Sequence, residues 1–531
     1  MHCLPVVVLL PLLCIASHPT AASSSAVDAA NKPHIFMLLV DDWGWANVGY
    51  HRDPPTKEVQ TPTFDRLAKK EGVELDQHYA HCACSPSRSS LLTGRHPIHV
   101  NVDNGDVRRY NDLDPVSGFQ GIPRNMTAIA QKLKQAGYAT HQVGKWDAGM
   151  ATPDHTPKGR GFDSSLGYFH HMNDYYTEQQ GICLIGFSEV TDFWETDGEK
   201  EGPAYGKNGT VYEEQMFAAR VLEIVENHNV SQPLFLYYAP HIVHGPLQVP
   251  REYEDKFSFI DDGTRRLYHA MVTYLDDVVN NVTQAFIKKG MWNNTLMVVS
   301  SDNGGPEYFT GGANNYPLKG GKLSNWQGGV RVNAFVTGGL LPEAMRGTTL
   351  DGYVALCDWY TTFCRLADVE PTDERAAEAK LPPVDGLDMW PYISGMNKTS
   401  PRVDVPLGPN IMSNVVQRGG HAGLISGNYK ILVGEIGEAG WTGPQYPNNT
   451  NPGGGFTIIE DCGTGCLFDI IKDPEERQNL AQSMPGVLKD MQQKFETMVN
   501  SMFSPNRGLS SPLACESVRD RYHGYWGPFL P

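Results

Sequence analysis

Two pairs of oxygen-bearing side chains stand directly behind apolar runs. Asp41 and Asp42 follow residues 35–40 (Ile-Phe-Met-Leu-Leu-Val), and Asp302 and Asn303 follow residues 296–299 (Leu-Met-Val-Val). Oxygen donors make a hard-cation set, which suits calcium or magnesium better than zinc, whose sites want more histidine or cysteine. One such pair alone would as readily cap a helix or a turn. Two pairs, each behind a buried run, favour a metal site. Two further runs lead into other chemistry: residues 234–238 into His241 and His244, and residues 140–143 into Lys145 and Asp147. Lys322 follows two glycines, but Leu323 stands where a phosphate-binding P-loop needs Ser or Thr, so that motif is excluded.

Unbroken apolar runs of this length predict strands buried on both faces of a parallel sheet. Helical patterns lie between them. Thr61-Pro62 precedes Phe64, Leu67 and Ala68, and residues 127–136 keep Ile129, Ala130 and Leu133 on one face. Leu267, Met271, Leu275, Val278, Val282 and Phe286 form a long stripe before Gly290. Strands alternating with helices predict an α/β sandwich. Ligands of such sheets gather beyond the carboxyl ends of the strands, so the four polar clusters should converge on one site. The large domain is read over 31–395. After Gly395 the character changes: 397–409 reads as a polar, Pro-rich linker, 423–433 as a hairpin and 487–502 as a final amphipathic helix. These features predict a smaller C-terminal α+β domain over 396–531.

The 531 residues suffice for two or three domains, and the 40% apolar share excludes global disorder. A formal charge of −17 argues against a nucleic-acid partner, which needs a basic surface. Residues 4–15 are apolar but too few to span a bilayer, and Thr20-Ala21-Ala22 suits a signal peptidase, so 1–22 reads as a signal peptide. No later segment reaches membrane-helix length. Seven Asn-x-Ser/Thr sequons, at Asn125, Asn208, Asn229, Asn281, Asn293, Asn397 and Asn448, fit the secretory pathway, with secretion or the lysosome as destination. Eight of the ten cysteines remain after the signal and are expected to pair. Cys82 and Cys84 are too close for a comfortable mutual bridge, and Cys462, Cys466 and Cys515 are placed to staple the C-terminus.

The segment Cys84-Ser85-Pro86-Ser87-Arg88, followed by Leu91-Leu92-Thr93-Gly94-Arg95, resembles the signature of the sulfatase family. Gly137-Tyr138-Ala139-Thr140 with Gly144-Lys145-Trp146 is similar to its second motif. Val243-His244, Ser301-Asp302-Asn303-Gly304-Gly305, Gly328-Gly329-Val330-Arg331 and Cys466-Leu467-Phe468-Asp469 are similar to the N-acetylgalactosamine-4-sulfatase (arylsulfatase B) branch. The resemblance covers almost all of the mature chain. It implies an alkaline-phosphatase-like sandwich around a large, mostly parallel sheet, and hydrolysis of a sulfated carbohydrate or aryl sulfate. It implies that the formylglycine-generating enzyme oxidises Cys84 to formylglycine, whose hydrate is the nucleophile and is held by Arg88. One calcium ion would be bound by Asp41, Asp42, Asp302 and Asn303 together with residue 84. Lys145 and Lys322 would grip sulfate oxygens, and His244 would protonate the leaving oxygen. These residue types suit ester cleavage, since cations and a metal stabilise charge on a sulfate ester and an alkoxide leaves only with a proton. Cys84 is also placed to open a helix, whose N-terminus favours an anion.

One position departs from the pattern. Asp147 stands where the family carries a histidine that acts as the base releasing sulfate. A carboxylate has a reference pKa of about 4 against about 6.5 for histidine, but an adjacent anionic sulfate would raise it. Asp147 is therefore expected to be the base. The rival readings are that His155, His170 or His171 reaches in from the next loop, or that Asp147 braces Lys145. Two other functions compete with the sulfatase: a phosphomonoester or phosphonate hydrolase of the same superfold, and a non-catalytic binder of sulfated glycans.

Overall fold

The computed structural model of the chain describes residues 1, 32–181, 183, 189–307, 311–409, 422–447 and 458–531. The expected signal peptide and the sequon at Asn448 lie outside the described residues. Ten strands form the main sheet: β1 (His34–Val40), β2 (Val73–Leu75), β3 (Ala139–Lys145), β4 (Ser164–Tyr168), β5 (Trp194–Asp197), β6 (Lys200–Pro203), β7 (Leu234–Ala239), β8 (Thr295–Ser301), β9 (Ala334–Thr337) and β10 (Thr348–Leu350). Their spatial order is β10-β2-β9-β8-β1-β7-β3-β4-β5-β6. The central run β8-β1-β7-β3-β4 is parallel, and antiparallel neighbours flank it on both sides.

The continuous apolar runs follow from burial on two faces. Along β1, Ile35, Met37 and Leu39 enter one core, and Phe36, Leu38 and Val40 enter the other. The first core is covered by helices α2 (Cys84–Thr93), α3 (Ile129–Gln135) and α6 (Asp358–Leu366), through Leu92, Leu133 and Phe363. The second is covered by α1 (Pro62–Lys69), α4 (Glu213–Asn227) and α5 (Gly263–Lys288), through Phe64, Val221 and Leu275. Each such side chain contributes about 1.5–3 kcal/mol by leaving water. The stripe on α5 thus serves as core packing, and its first turn is capped by Asp262, whose carboxylate accepts from Arg265 N at 2.8 Å.

A smaller antiparallel sheet follows, in the order β11 (Asp404–Leu407), β12 (Ala422–Ser426), β13 (Tyr429–Val433) and β14 (Cys466–Asp469). Helix α7 (Pro485–Asn500) packs Met491 and Met498 against Leu424 and Ile431 of this sheet. The expected hairpin and amphipathic helix are both present, but this helix is not the final one, since another follows it at Pro512–Asp520. Residues 397–409 are more than a linker, because they contain β11. The chain then returns to the large sheet: Val518 of α8 (Pro512–Asp520) and Trp526 join the first core, and Cys515 bonds Cys183. Cys462 and Cys466 bond each other, while Cys82, Cys84, Cys357 and Cys364 are free and buried. The expectation that all eight pair is corrected. Cys82 and Cys364 pack as small apolar groups in the hydrophobic clusters, as buried free cysteines commonly do, whereas Cys84 and Cys357 face polar side chains.

Candidate active site

Beyond the carboxyl ends of the parallel strands the chain turns polar, and these turns meet. After β1, Asp42 takes a left-handed backbone (φ 56°), a region that aspartate enters more readily than most residues. Its N–H donates to Asp302 Oδ1 at 3.2 Å, and Asn303 Nδ2 donates to its Oδ1 at 2.7 Å. The ends of β1 and β8 are thereby tied together. Gly144 makes room for the next partner: it sits at φ 98°, and a Cβ there would lie 2.0 Å from the Ala239 carbonyl oxygen of β7. Lys145 follows it and places Nζ 2.7 Å from Asp41 Oδ2.

Helix α2 brings in the other half of the site. Ala83 is extended and α2 opens at Cys84, as the motif predicts, with Gly94 closing it in the left-handed region. Cys84 Sγ lies 3.6 Å from Asp41 Oδ1. One turn on, Arg88 Nε donates to Asp302 Oδ2 at 3.0 Å and Nη1 to the Lys145 carbonyl at 3.2 Å. The guanidinium also lies 3.7 Å from Asp41 Oδ2. Lys322 Nζ is 2.7 Å from Asp42 Oδ1, and His244 Nε2 is 3.6 Å from Asp42 Oδ2. His244 Nδ1 lies 2.7 Å from the Gly245 carbonyl oxygen, which fixes the tautomer with Nδ1–H and turns Nε2 toward Asp42. Asp147 is 3.9 Å from Lys145. The fold thus brings together Asp41, Asp42, Cys84, Arg88, Lys145, Asp147, His244, Asp302, Asn303 and Lys322.

Burial governs the electrostatics. It pushes the Asp41 carboxyl well up, with Asp302 adding to the effect and Lys145 and Arg88 opposing it. Burial acts on Asp42 too, but Lys322, His244 and Lys145 outweigh it and hold that carboxyl below the usual range. Burial likewise raises the Cys84 thiol and lowers His244, on which Lys322 acts in the same direction. For Asp147, burial is outweighed by His171 and Lys145, so the carboxyl sits below its ordinary value. The His171 imidazole thus acts against the rise that an adjacent sulfate is expected to bring.

The three rival histidines separate cleanly. His155 is buried, with Nδ1 2.8 Å from Thr152 Oγ1 and its ring against Phe119. His170 is held by Asp192 Oδ2 at 2.7 Å. His171 reaches Asp147, with Nδ1 2.9 Å from Oδ2. One further pair was not anticipated in its sequence context. Glu213, in the first turn of α4, lies 3.1 Å from His241 Nδ1, while His241 stacks on Tyr175 with ring centroids 3.9 Å apart. Acids in a first helical turn are common for dipole reasons alone, so only their complete burial marks Glu213 and Glu214 as special.

A divalent cation fits this cluster. Asn303 Oδ1 is buried without a hydrogen-bond partner beside Asp42. Ligand atoms of Asp41, Asp42, Cys84 and His244 lie within 4.8 Å of one another. Among the described residues the other such group is Glu460, Cys462 and Cys466, whose two sulfurs are consumed by a disulfide.

The sulfatase family model matches residues 33–369. Mouse (Mus musculus) arylsulfatase J is 34% identical over 527 residues, covering 94% of this chain and 80% of that protein. Mouse N-acetylgalactosamine-6-sulfatase is 30% identical over 372 residues, covering 69% of this chain and 67% of that protein. The crystal structure of Ps i-CgsB in complex with k-i-k-neocarrahexaose superposes with a TM-score of 0.70 at 27% identity, covering 93% of this chain and 99% of that one. The chain belongs to the sulfatase family, and its class of activity is hydrolysis of sulfuric esters. A phosphonate monoester hydrolase of Agrobacterium radiobacter shares the fold with a TM-score of 0.56 at 16% identity, a likeness of fold alone.

Proposed function

We propose that this protein is a calcium-dependent sulfatase that cleaves sulfate monoesters of a sulfated sugar or polysaccharide, with Cys84 matured to formylglycine by the formylglycine-generating enzyme. The observation that carries this reading is Cys84 at the head of α2, buried 3.6 Å from Asp41 in a cluster with Arg88, Lys145 and Lys322. Sulfatases named for N-acetylgalactosamine esters, and a structural relative in complex with a neocarrahexaose, support a sulfated polysaccharide as substrate.

A calcium ion held by Asp41, Asp42, Asp302 and Asn303, with residue 84, would polarise a sulfate oxygen, and an aldehyde hydrate at position 84 would supply the nucleophile. The chain's own residues do the remainder. Arg88 presents residue 84 to the substrate and is itself fixed by Asp302. Each lysine Nζ carries three donors, so Lys145 and Lys322 can hold a carboxylate and a sulfate oxygen together. His244 would be the acid: its Nδ1–H is committed to Gly245, so a proton for the leaving oxygen would be carried on Nε2, where Asp42 favours it against burial and Lys322. Asp147 accepts a proton beside Lys145.

The secretory route is supported by exposed sequons at Asn229, Asn281, Asn293 and Asn397 and by the two disulfides. Among the described residues no helix is long and apolar enough to cross a membrane. The test is peptide mass spectrometry of protein made in cells that contain the formylglycine-generating enzyme, with a hydrazide probe for the aldehyde. An aldehyde at residue 84 is expected. Active protein that carries only a thiol there overturns the mechanism.

A further inference from the structure

The parallel register of β3 and β4 sets Lys145 opposite Tyr168, so the turns that follow run side by side. Asp147 and His171 meet there. His171 Nε2 lies 3.1 Å from the Gly105 carbonyl oxygen, and Nδ1 lies 2.9 Å from Asp147 Oδ2. A carbonyl oxygen only accepts, so Nε2 carries a hydrogen, and Nδ1 shares a further proton with the carboxylate. Asp147 is fully buried with φ 47°, while the His171 side chain is 28% exposed. Asp147 Oδ1 is buried without a hydrogen-bond partner. The charged groups around the pair are Lys145 from β3, Arg88 from α2 and Asp103 from the loop that also carries Gly105.

We propose that His171 is a positioning residue of the sulfate site: it holds Asp147 through Oδ2, cancels its charge, and leaves Oδ1 as the acceptor that a hydroxyl in the site can use. The proposal rests on the sulfate-ester reading of the cluster. Without the imidazole, Asp147 would be a buried carboxylate next to Lys145. It would repel an oxyanion and compete with it for the ammonium group. With the imidazole in place the pair is neutral, and Lys145 remains directed at Asp41 and the substrate.

The experiment uses the full chain with Cys84→Ala, which removes any dependence on maturation, and titrates inorganic sulfate by calorimetry. Adding His171→Ala should weaken sulfate binding on the order of 10–100-fold, the usual consequence of stripping one partner from a buried charge pair. Adding Asp147→Asn to that variant should restore affinity to within about threefold of the Cys84→Ala parent, because it removes the uncancelled charge. Should His171→Ala lower the melting temperature, His171→Gln keeps a donor for Asp147 without the charge. It should bind sulfate as weakly as the alanine variant. Unchanged affinity in the His171 variants, or no recovery on Asp147→Asn, overturns the pairing. A parent that binds no sulfate instead overturns the sulfate-site reading on which it rests.

Discussion

Removing Arg88 should expose how the cluster is held together. The guanidinium is fully buried, 2.8 Å from Asp302 Oδ2 and 3.7 Å from Asp41 Oδ2. At an effective dielectric of about 20 these separations correspond to about 6 and 4.5 kcal/mol of attraction. Taking the arginine out of water costs several kcal/mol, which offsets much of that sum. Arg88→Ala removes the attraction and leaves two carboxylates buried, so a net loss of about 3–5 kcal/mol is expected. Equilibrium urea unfolding in the presence of a calcium chelator, followed by tryptophan fluorescence, measures it; Trp146, buried next to Lys145, is a local reporter. Adding Asp302→Asn should recover part of the loss, because it removes the carboxylate left without an ion-pair partner, whereas Asp41 keeps Lys145. Arg88→Lys should recover less than the parent interaction, since an ammonium group cannot reach Asp302, Asp41 and the Lys145 carbonyl together. Turnover should fall by at least about 100-fold in both single variants. A stability change below about 1 kcal/mol for Arg88→Ala, or no recovery on adding Asp302→Asn, would show that the ion pairs are not what holds this site.

The metal reading predicts that chelation abolishes turnover and lowers the melting temperature, and that calcium restores both. A hundredfold excess over Kd should add about 2.7 kcal/mol of apparent stability, an increment that Asp302→Ala should lose. Full restoration by zinc alone would count against an oxygen-donor site. A second prediction concerns acid. His78 is buried, accepts from Trp359 Nε1 at 3.0 Å, and burial lowers its pKa to about 3. The unfolded chain therefore takes up a proton below pH ~6.5 that the folded chain refuses, so stability is intact above that value and falls toward acid, by about 3 kcal/mol at pH ~4.5 from this group. His78→Gln should flatten the acid limb of a melting-temperature profile; superimposable profiles for parent and variant would refute the assignment.

Legibility in the sequence follows burial and spacing. Strands β1, β7 and β8 announce themselves because burial on two faces forces unbroken apolar runs. β6 carries Lys-Glu-Gly-Pro, a sequence with no such constraint at the edge of the sheet, and it leaves no signal. β11 is hidden for a related reason: Pro406 suits an edge strand and reads as linker. The reactive cluster was legible because each of its members sits within a short motif or directly behind a strand. Glu213 was not, since its partner His241 lies 28 residues away and the contact depends on how α4 docks on the sheet. The disulfide from Cys183 to Cys515 spans 332 residues and is set by the return of the C-terminus to the first core, which no local pattern encodes.

The charge pattern gives these parts one physical logic. Asp41, Asp42 and Asp302 face Lys145, Lys322 and Arg88, so the cluster is neutral by formal charge. A divalent cation would leave it two charges positive, a surplus that the single negative charge of a sulfate monoester and an ionised hydrate at residue 84 would together meet. A further aspartate at position 147 would disturb that arrangement if it stood alone. His171 would restore it from the turn after β4, because the register of β3 and β4 sets the two turns side by side. The ring of His171 lies on the adjacent turn, and the carboxylate of Asp147 stands between it and Lys145.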